Sequence, residues 1–291
     1  MKPSVTCFAC FLKQVKMIVD TLGVDKDKGI KFAKEVARYI AEVDEQLPPP
    51  VIAKRIYELA GDYLGKRDPY KKLKEKSIEA MKGLKAEFLK RLEGISNSFE
   101  RLKLAMKFSA SANAIDYGVS LEFDIDEIMS DLERVGIQDE DYLMENFKRG
   151  KKWMILGDNA GENVADSVVA GVLTERGCDV IYAVRGEPVL NDITLDDDLS
   201  DFNGVAKVIT TGSGYSGLWK DASDGFWKQF YEVDVVISKG QGNFETIDEL
   251  MKMGMVRRPV YFLLKVKCDP IAERLSQEVG TFVAKLVWPK V

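Results

Sequence analysis

The sequence contains no histidine. That absence excludes a serine–histidine–aspartate triad, a cysteine–histidine dyad and any histidine-ligated metal centre. Proton transfer and metal binding must fall to carboxylates, amides, lysines, tyrosines or cysteines. Cysteine is scarce as well. Four in 291 residues (Cys7, Cys10, Cys178 and Cys268) do not make the disulfide framework of a small secreted protein. No apolar run approaches the roughly 18 residues needed to cross a bilayer. The N-terminal stretch is interrupted by Lys13 and Lys16 and lacks a small-residue cleavage site, so it does not read as a signal peptide. A cytoplasmic protein without a membrane partner is expected. The 42 Lys and Arg fall short of the 47 Asp and Glu, and the net charge of −5 argues against a general affinity for nucleic acid.

What is present divides in two. The first part is helical in pattern: Phe32, Val36, Ile40 and Val43 recur at spacings of three and four over 25–45. Pro48, Pro49 and Pro50 interrupt the pattern, and Ile52, Ile56, Leu59 and Tyr63 resume it over 51–64. A lysine-rich stretch, 69–94, and another from 98 to 117 continue in the same style, with shorter amphipathic pieces at 125–135 and 139–148. After Gly150 short apolar runs at 153–157, 179–186, 205–212, 233–240 and 260–267 alternate with helical stretches at 162–176, 224–231 and 244–252. Strands alternating with helices predict an α/β fold with a doubly wound, mostly parallel sheet, Rossmann-like and three-layered. The expected division is a helical domain over 1–118 and an α/β domain over 119–291.

In such a sheet ligands bind beyond the carboxyl ends of the strands, so chemistry is sought there. The first strand ends in Gly157-Asp158-Asn159-Ala160-Gly161-Glu162 and runs into a helix. Asp158 and Asn159 are read either as helix caps or as oxygen donors for a hard divalent cation. The second ends in Arg185-Gly186-Glu187-Pro188-Val189-Leu190-Asn191-Asp192, where Asp192 would complete an oxygen-rich set if the two strand ends lie side by side. The acidic run Asp196, Asp197, Asp198 and Asp201 is read as a solvated loop that starts a helix.

The third strand ends in Gly212-Ser213-Gly214-Tyr215-Ser216-Gly217, formally a dinucleotide fingerprint. The residues after it open a helix poorly, and no acid follows at the end of the next strand. A glycine- and hydroxyl-rich substrate loop is the preferred reading. A nucleotide-cofactor methyltransferase or oxidoreductase using this loop is the alternative. The fourth strand ends in Ser238-Lys239-Gly240-Gln241-Gly242-Asn243-Phe244-Glu245, where Lys239 would set a positive charge beside a phosphoryl group. The fifth contributes Lys265, Lys267 and Cys268. Asn113 and Asp116 share one helical face and are read either as the border of a cleft or as an ordinary helix end at Gly118. A zinc site at Cys7-x-x-Cys10 would need Cys178 and Cys268 as well, so core packing is the simpler reading.

Taken in order, CFACFLKQ, ILGDNAGE, AVRGEPVLND, ISKGQGNFE and LKVKC resemble the metal-dependent damage-control phosphatases, the family catalogued as domain of unknown function 89, in its archaeal-type branch. The resemblance spans nearly the whole chain. It implies a phosphomonoester hydrolase that uses Mn, Co, Ni or Mg and acts on small phosphorylated metabolites such as sugar phosphates or damaged phospho-metabolites. It places the metal on Asp158, Asn159 and Asp192, and the catalytic roles on Asp158, Asp192 and Lys239. Lys239 and Lys267 would bind substrate phosphate, with Glu162, Gln241 and Asn243 beside them and Asn113 and Asp116 facing the same cleft. A metal site made without imidazole or thiolate suits Mg and Mn best, which stands in tension with Co and Ni.

Overall fold

The computed structural model describes residues 1–65, 67–112 and 125–289. Among these, seven strands form one sheet: β1 (Gly136–Ile137), β2 (Lys152–Leu156), β3 (Asp179–Val184), β4 (Lys207–Thr210), β5 (Val235–Lys239), β6 (Val260–Lys265) and β7 (Phe282–Val287). Their spatial order is β1-β7-β6-β5-β2-β3-β4. From β6 through β4 all pairings are parallel, and β7 returns antiparallel along β6. The five strands expected from the sequence are present. Strands β1 and β7 were not foreseen. In β7 the polar Lys285 interrupts an otherwise apolar run, and β1 is a two-residue pairing that only the neighbouring strand defines.

The central strands β2, β3, β5 and β6 are buried on both faces, so their successive side chains feed two cores. On one face Trp153, Ile155, Tyr182 and Val184 meet α4 (Lys71–Glu93), α5 (Ser98–Ala112) and α8 (Glu162–Glu175). Phe88 stacks on Phe108 there with ring centroids 4.1 Å apart. On the other face Met154, Leu156, Ala183 and Phe262 meet α9 (Asp224–Glu232), α10 (Gly240–Lys252) and α11 (Asp269–Leu275). Each large apolar side chain buried in these layers contributes about 1.5–3 kcal/mol. The fold is therefore a mixed α/β sandwich of three layers, with α6 (Ile125–Arg134) and α7 (Glu140–Asn146) leading into the sheet.

The first three helices, α1 (Val5–Leu22), α2 (Lys26–Ala41) and α3 (Pro49–Leu64), have a core of their own built on Phe11, Ile18, Phe32, Val36, Ile52 and Ile56. Asp25 caps α2 by accepting the Lys28 N–H at 3.0 Å. The proline run both ends the preceding segment and opens α3, since the first helical positions need no N–H donor. The expected boundary at 118/119 falls outside the described residues.

The acidic run after β3 is solvated only in part: Asp196 and Asp198 are exposed as expected, while Asp197 and Asp201 are drawn into the fold. Asp197, 1 % exposed, holds the wholly buried Lys74 ammonium at 2.9 Å. Asp198 pairs with Lys82, and Asp201 with Lys85, each at 2.6 Å. The lysine stripe of α4 and this run are complementary, and together they clamp α4 to the sheet layer.

Candidate functional site

The chain leaves β2 toward β3 and β4 on one side and later returns to lay β5 and β6 on the other. The carboxyl end of β2 is thus the topological switch point, where an open α/β sheet leaves a crevice. The DNAGE string sits there. β3 ends alongside, and the turn that carries Asp192 folds back so that Asn159 and Asp192 form an isolated bridge. Ile193 N–H donates to Asp158 C=O at 2.9 Å, and Ala160 N–H to Asn191 C=O at 2.8 Å. Strand ends that are neighbours in the sheet thereby bring Asp158, Asn159 and Asp192 together.

Arg185, 1 % exposed, stands between the two aspartates. Its Nε donates to Asp192 Oδ2 at 2.7 Å, one terminal nitrogen to Asp158 Oδ1 at 3.3 Å, and the other to Asn243 Oδ1 at 3.0 Å. Sequence reasoning gave this arginine no role, because an arginine at a strand end ordinarily reaches solvent. Ser216 donates its hydroxyl to Asp192 Oδ1 at 3.3 Å, which brings the Gly212–Gly217 loop to the site. No helix opens at those glycines; α9 begins only at Asp224, so the geometry of a dinucleotide fingerprint is not formed.

A second buried network lies behind the first. Asn159 Nδ2 donates to Asp158 Oδ2 at 3.1 Å and to Glu162 Oε1 at 2.7 Å. Glu162 lies 3.1 Å from the Lys239 ammonium, which also donates to Asp166 Oδ1 at 2.8 Å and to Ser109 C=O at 2.6 Å. Tyr182 and Ser109 donate to Asp166 as well. Lys239, expected on a substrate phosphate, is thus enclosed and engaged with these acids. Asp166 was overlooked, although it follows Glu162 by four residues on one face of α8.

Asn243 spends both ends of its amide on the protein: it donates to Gly157 and Lys239 carbonyls and accepts from Arg185 and Leu218 N–H. Gln241 and Asn243 lie in the first turns of α10. The helix was expected only from 244, but Gly240, at φ +74°, turns β5 directly into it. Asn113 and Asp116 lie outside the described residues.

The electrostatics favour added positive charge. Burial pushes the Asp158 carboxyl well above the usual range, reinforced by Asp192 and Glu162, while Arg185 and Lys267 oppose the shift. Burial raises Asp192 and Asp166 too. Burial also works against the charge of Lys239, but Asp166 and Glu162 outweigh it and hold its pKa above the ordinary value. Among the described residues, four buried acids (Asp158, Glu162, Asp166 and Asp192) face two buried cations, Arg185 and Lys239, a surplus of two negative charges.

Arg185→Met therefore isolates two buried carboxylates and should destabilise the protein by about 3–5 kcal/mol at neutral pH. A carboxyl whose pKa is raised by folding contributes stability below its unfolded value and loses it as pH rises. The melting-temperature deficit of Arg185→Met should accordingly shrink on acidification from pH 7.5 to 5. A deficit independent of pH would show that these acids do not carry it.

Among the described residues no three acid or thiol side chains form a metal cage by themselves. The set that converges is two carboxylates and an amide. Asn159 turns its N–H groups toward Asp158 and Glu162, so its Oδ1 remains as a donor beside the aspartates. All-oxygen donors and a twofold negative surplus fit a hard divalent cation.

Beside the site a cavity of about 520 Å³ opens beneath α1 and α3. One wall is apolar, with Phe11, Ala53, Tyr57 and Leu190; the other carries Ser216, Gln241, Glu245 and Lys267. Gln241 Oε1 accepts the Lys267 N–H at 3.1 Å and fixes the backbone from which that exposed lysine extends. Burial pushes Glu245 up to about 7. Cys7, Cys10 and Cys268 also border this cavity, whereas Cys178 is buried at the other end of β3, where its thiol meets Lys148 C=O. All four are free thiols, and the four-cysteine arrangement is not formed.

The sequence model of the damage-control phosphatase ARMT1-like domain matches residues 4–283. The chain is 31% identical to a damage-control phosphatase of Pyrococcus horikoshii over 97% of both proteins. It is 30% identical to an uncharacterized protein of Methanocaldococcus jannaschii over 94% of this chain and 92% of that one. A damage-control phosphatase of Archaeoglobus fulgidus is 29% identical over 99% of this chain and 100% of that one. The crystal structure of a DUF89 family protein from Pyrococcus horikoshii superposes with a TM-score of 0.84 at 29% identity, covering 100% of both chains.

Proposed function

The chain belongs to the damage-control phosphatase ARMT1-like domain family, and we propose that it is a cytoplasmic, metal-dependent phosphatase of small phosphorylated metabolites. The observation that carries this reading is the convergence of Asp158, Asn159 and Asp192 at the switch point of the sheet, next to a cavity edged by Lys267. These three residues would hold the divalent cation through oxygen. When bound, it supplies Lewis-acid polarisation of a phosphoryl oxygen and neutralises the surplus charge of the acids.

The remaining roles belong to the chain's own groups. Lys267 places a mobile positive charge over the phosphoryl oxygens, and Ser216 and Gln241 offer hydrogen bonds from the cavity wall. Arg185 keeps the two aspartates apart at fixed geometry. Lys239, anchored by Asp166, holds Glu162, which in turn holds the Asn159 amide in one orientation. Asp158 and Asp192, brought together at the ends of β2 and β3, are the acids placed to take the proton of the attacking water. The leaving group occupies the cavity under α1 and α3.

The test is hydrolysis of p-nitrophenyl phosphate by protein stripped with a chelator, then supplied with Mn, Co, Ni or Mg. Turnover should be absent after stripping and return with at least one of the four metals. Undiminished turnover in excess chelator, or none with any metal, would refute the proposal.

A further inference from the structure

We propose that Leu190 is a positioning residue for the metal site, through which the α1–α3 cluster sets the place of Asp192. The inference rests on the metal reading above. Residues 189–192 form a tight turn, closed by the Asp192 N–H on Val189 C=O at 2.9 Å. The second residue of this turn, Leu190, has φ +46°. A side chain branched beyond Cβ seldom takes that left-handed conformation, and glycine or asparagine is the ordinary occupant. Such a conformation persists where the surroundings over-determine it.

The surroundings are identifiable. The Leu190 side chain packs on the α1–α3 core, where Ile18, Tyr57 and Ala60 lie around the same small gap. Its other side forms part of the 520 Å³ cavity wall. The two residues that follow are tied to the site. Asn191 C=O accepts Ala160 N–H at 2.8 Å. Asp192 bridges to Asn159 and turns its carboxylate to Arg185 and Ser216. Glycine would relieve the backbone but leave the helices without a hold on the turn. Leucine at this position converts helix packing into the location of a ligand oxygen.

The test measures Mn²⁺ binding to the stripped full-length protein by calorimetry, alongside melting temperature. Leu190→Gly and Leu190→Asn, which suit the backbone and lose the apolar grip, should weaken Mn²⁺ binding about tenfold or more, as loss of an orienting partner does. Leu190→Met keeps the grip and should stay within about twofold of the parent. Val36→Ala removes apolar volume from the same cluster on α2, where it touches neither turn nor cavity, and should lower the melting temperature while leaving Mn²⁺ affinity within about twofold. If Leu190→Gly does not fold, Leu190→Asn carries the comparison. Parental affinity in the folded Gly or Asn variant overturns the inference, as does an equal loss in Val36→Ala. A parent protein that binds no Mn²⁺ refutes the metal reading itself and takes this inference with it.

Discussion

Asp192→Ala should lower metal-dependent turnover by about a thousandfold, the consequence of losing several kcal/mol of transition-state charge stabilisation. Two effects on stability oppose each other in this variant. Arg185 loses its shortest ion pair, at 2.7 Å, and Ser216 loses its acceptor. Asp158, however, is relieved of a like charge that helps to raise its pKa. The cost should therefore be smaller than the about 3–5 kcal/mol of breaking an ordinary buried pair. A folded but inactive variant is the expected outcome. Asp192→Asn sharpens the test, because its side-chain oxygen can still accept the Arg185 Nε–H while the negative charge is gone. Activity should remain low in both, with the Mn²⁺ concentration for half-maximal rate rising strongly in Asp192→Asn. Parental turnover of p-nitrophenyl phosphate in either variant would remove Asp192 from the mechanism.

The strand ends that carry Asp158, Asn159 and Asp192 were legible because parallel, doubly buried strands are continuous apolar runs with abrupt ends. A glycine or acid after such a run marks the edge of the sheet where ligands collect. Strand β7 was not legible because Lys285 sits in its middle, and its antiparallel partner, β6, defines it. Arg185 illustrates a different limit. Its burial depends on Asp158, Asp192 and Asn243 closing around it, and Asn243 lies 58 residues away. Lys239 and Asp166 are 73 residues apart, and the lysine stripe of α4 meets its acidic partners across more than a hundred. Periodicity reports which face of an element is apolar. It carries no information about which distant charge will neutralise a polar group once the elements assemble. Leu190 is a third case, since nothing local distinguishes a leucine in a left-handed turn from one in an extended loop.

Gly240→Ala should be nearly as damaging as loss of a ligand, although it adds a single methyl group. Gly240 joins β5 to α10 at φ +74°, where an L-residue costs about 1–2 kcal/mol. A Cβ there would fall well inside van der Waals contact of Asp158 Oδ2 and 3.0 Å from Oδ1. The Asp158 carboxylate cannot yield freely, because Arg185 holds one oxygen and Asn159 the other. Either the carboxylate leaves its place or the start of α10 moves, and the latter also shifts Gln241 and Asn243. Gly254 provides the control. Its φ is +71° and a Cβ would meet nothing within 4 Å, so Gly254→Ala carries the backbone cost alone. Gly254→Ala should lose about 1–2 kcal/mol and keep its kcat/KM. Gly240→Ala should lose at least as much stability and, measured well below its melting temperature, about a hundredfold or more in kcat/KM, the scale of misplacing a catalytic group by an ångström. Equal kcat/KM in the two variants would mean that the Asp158 carboxylate has room to move without consequence, and that its position next to Gly240 is not what the reaction depends on.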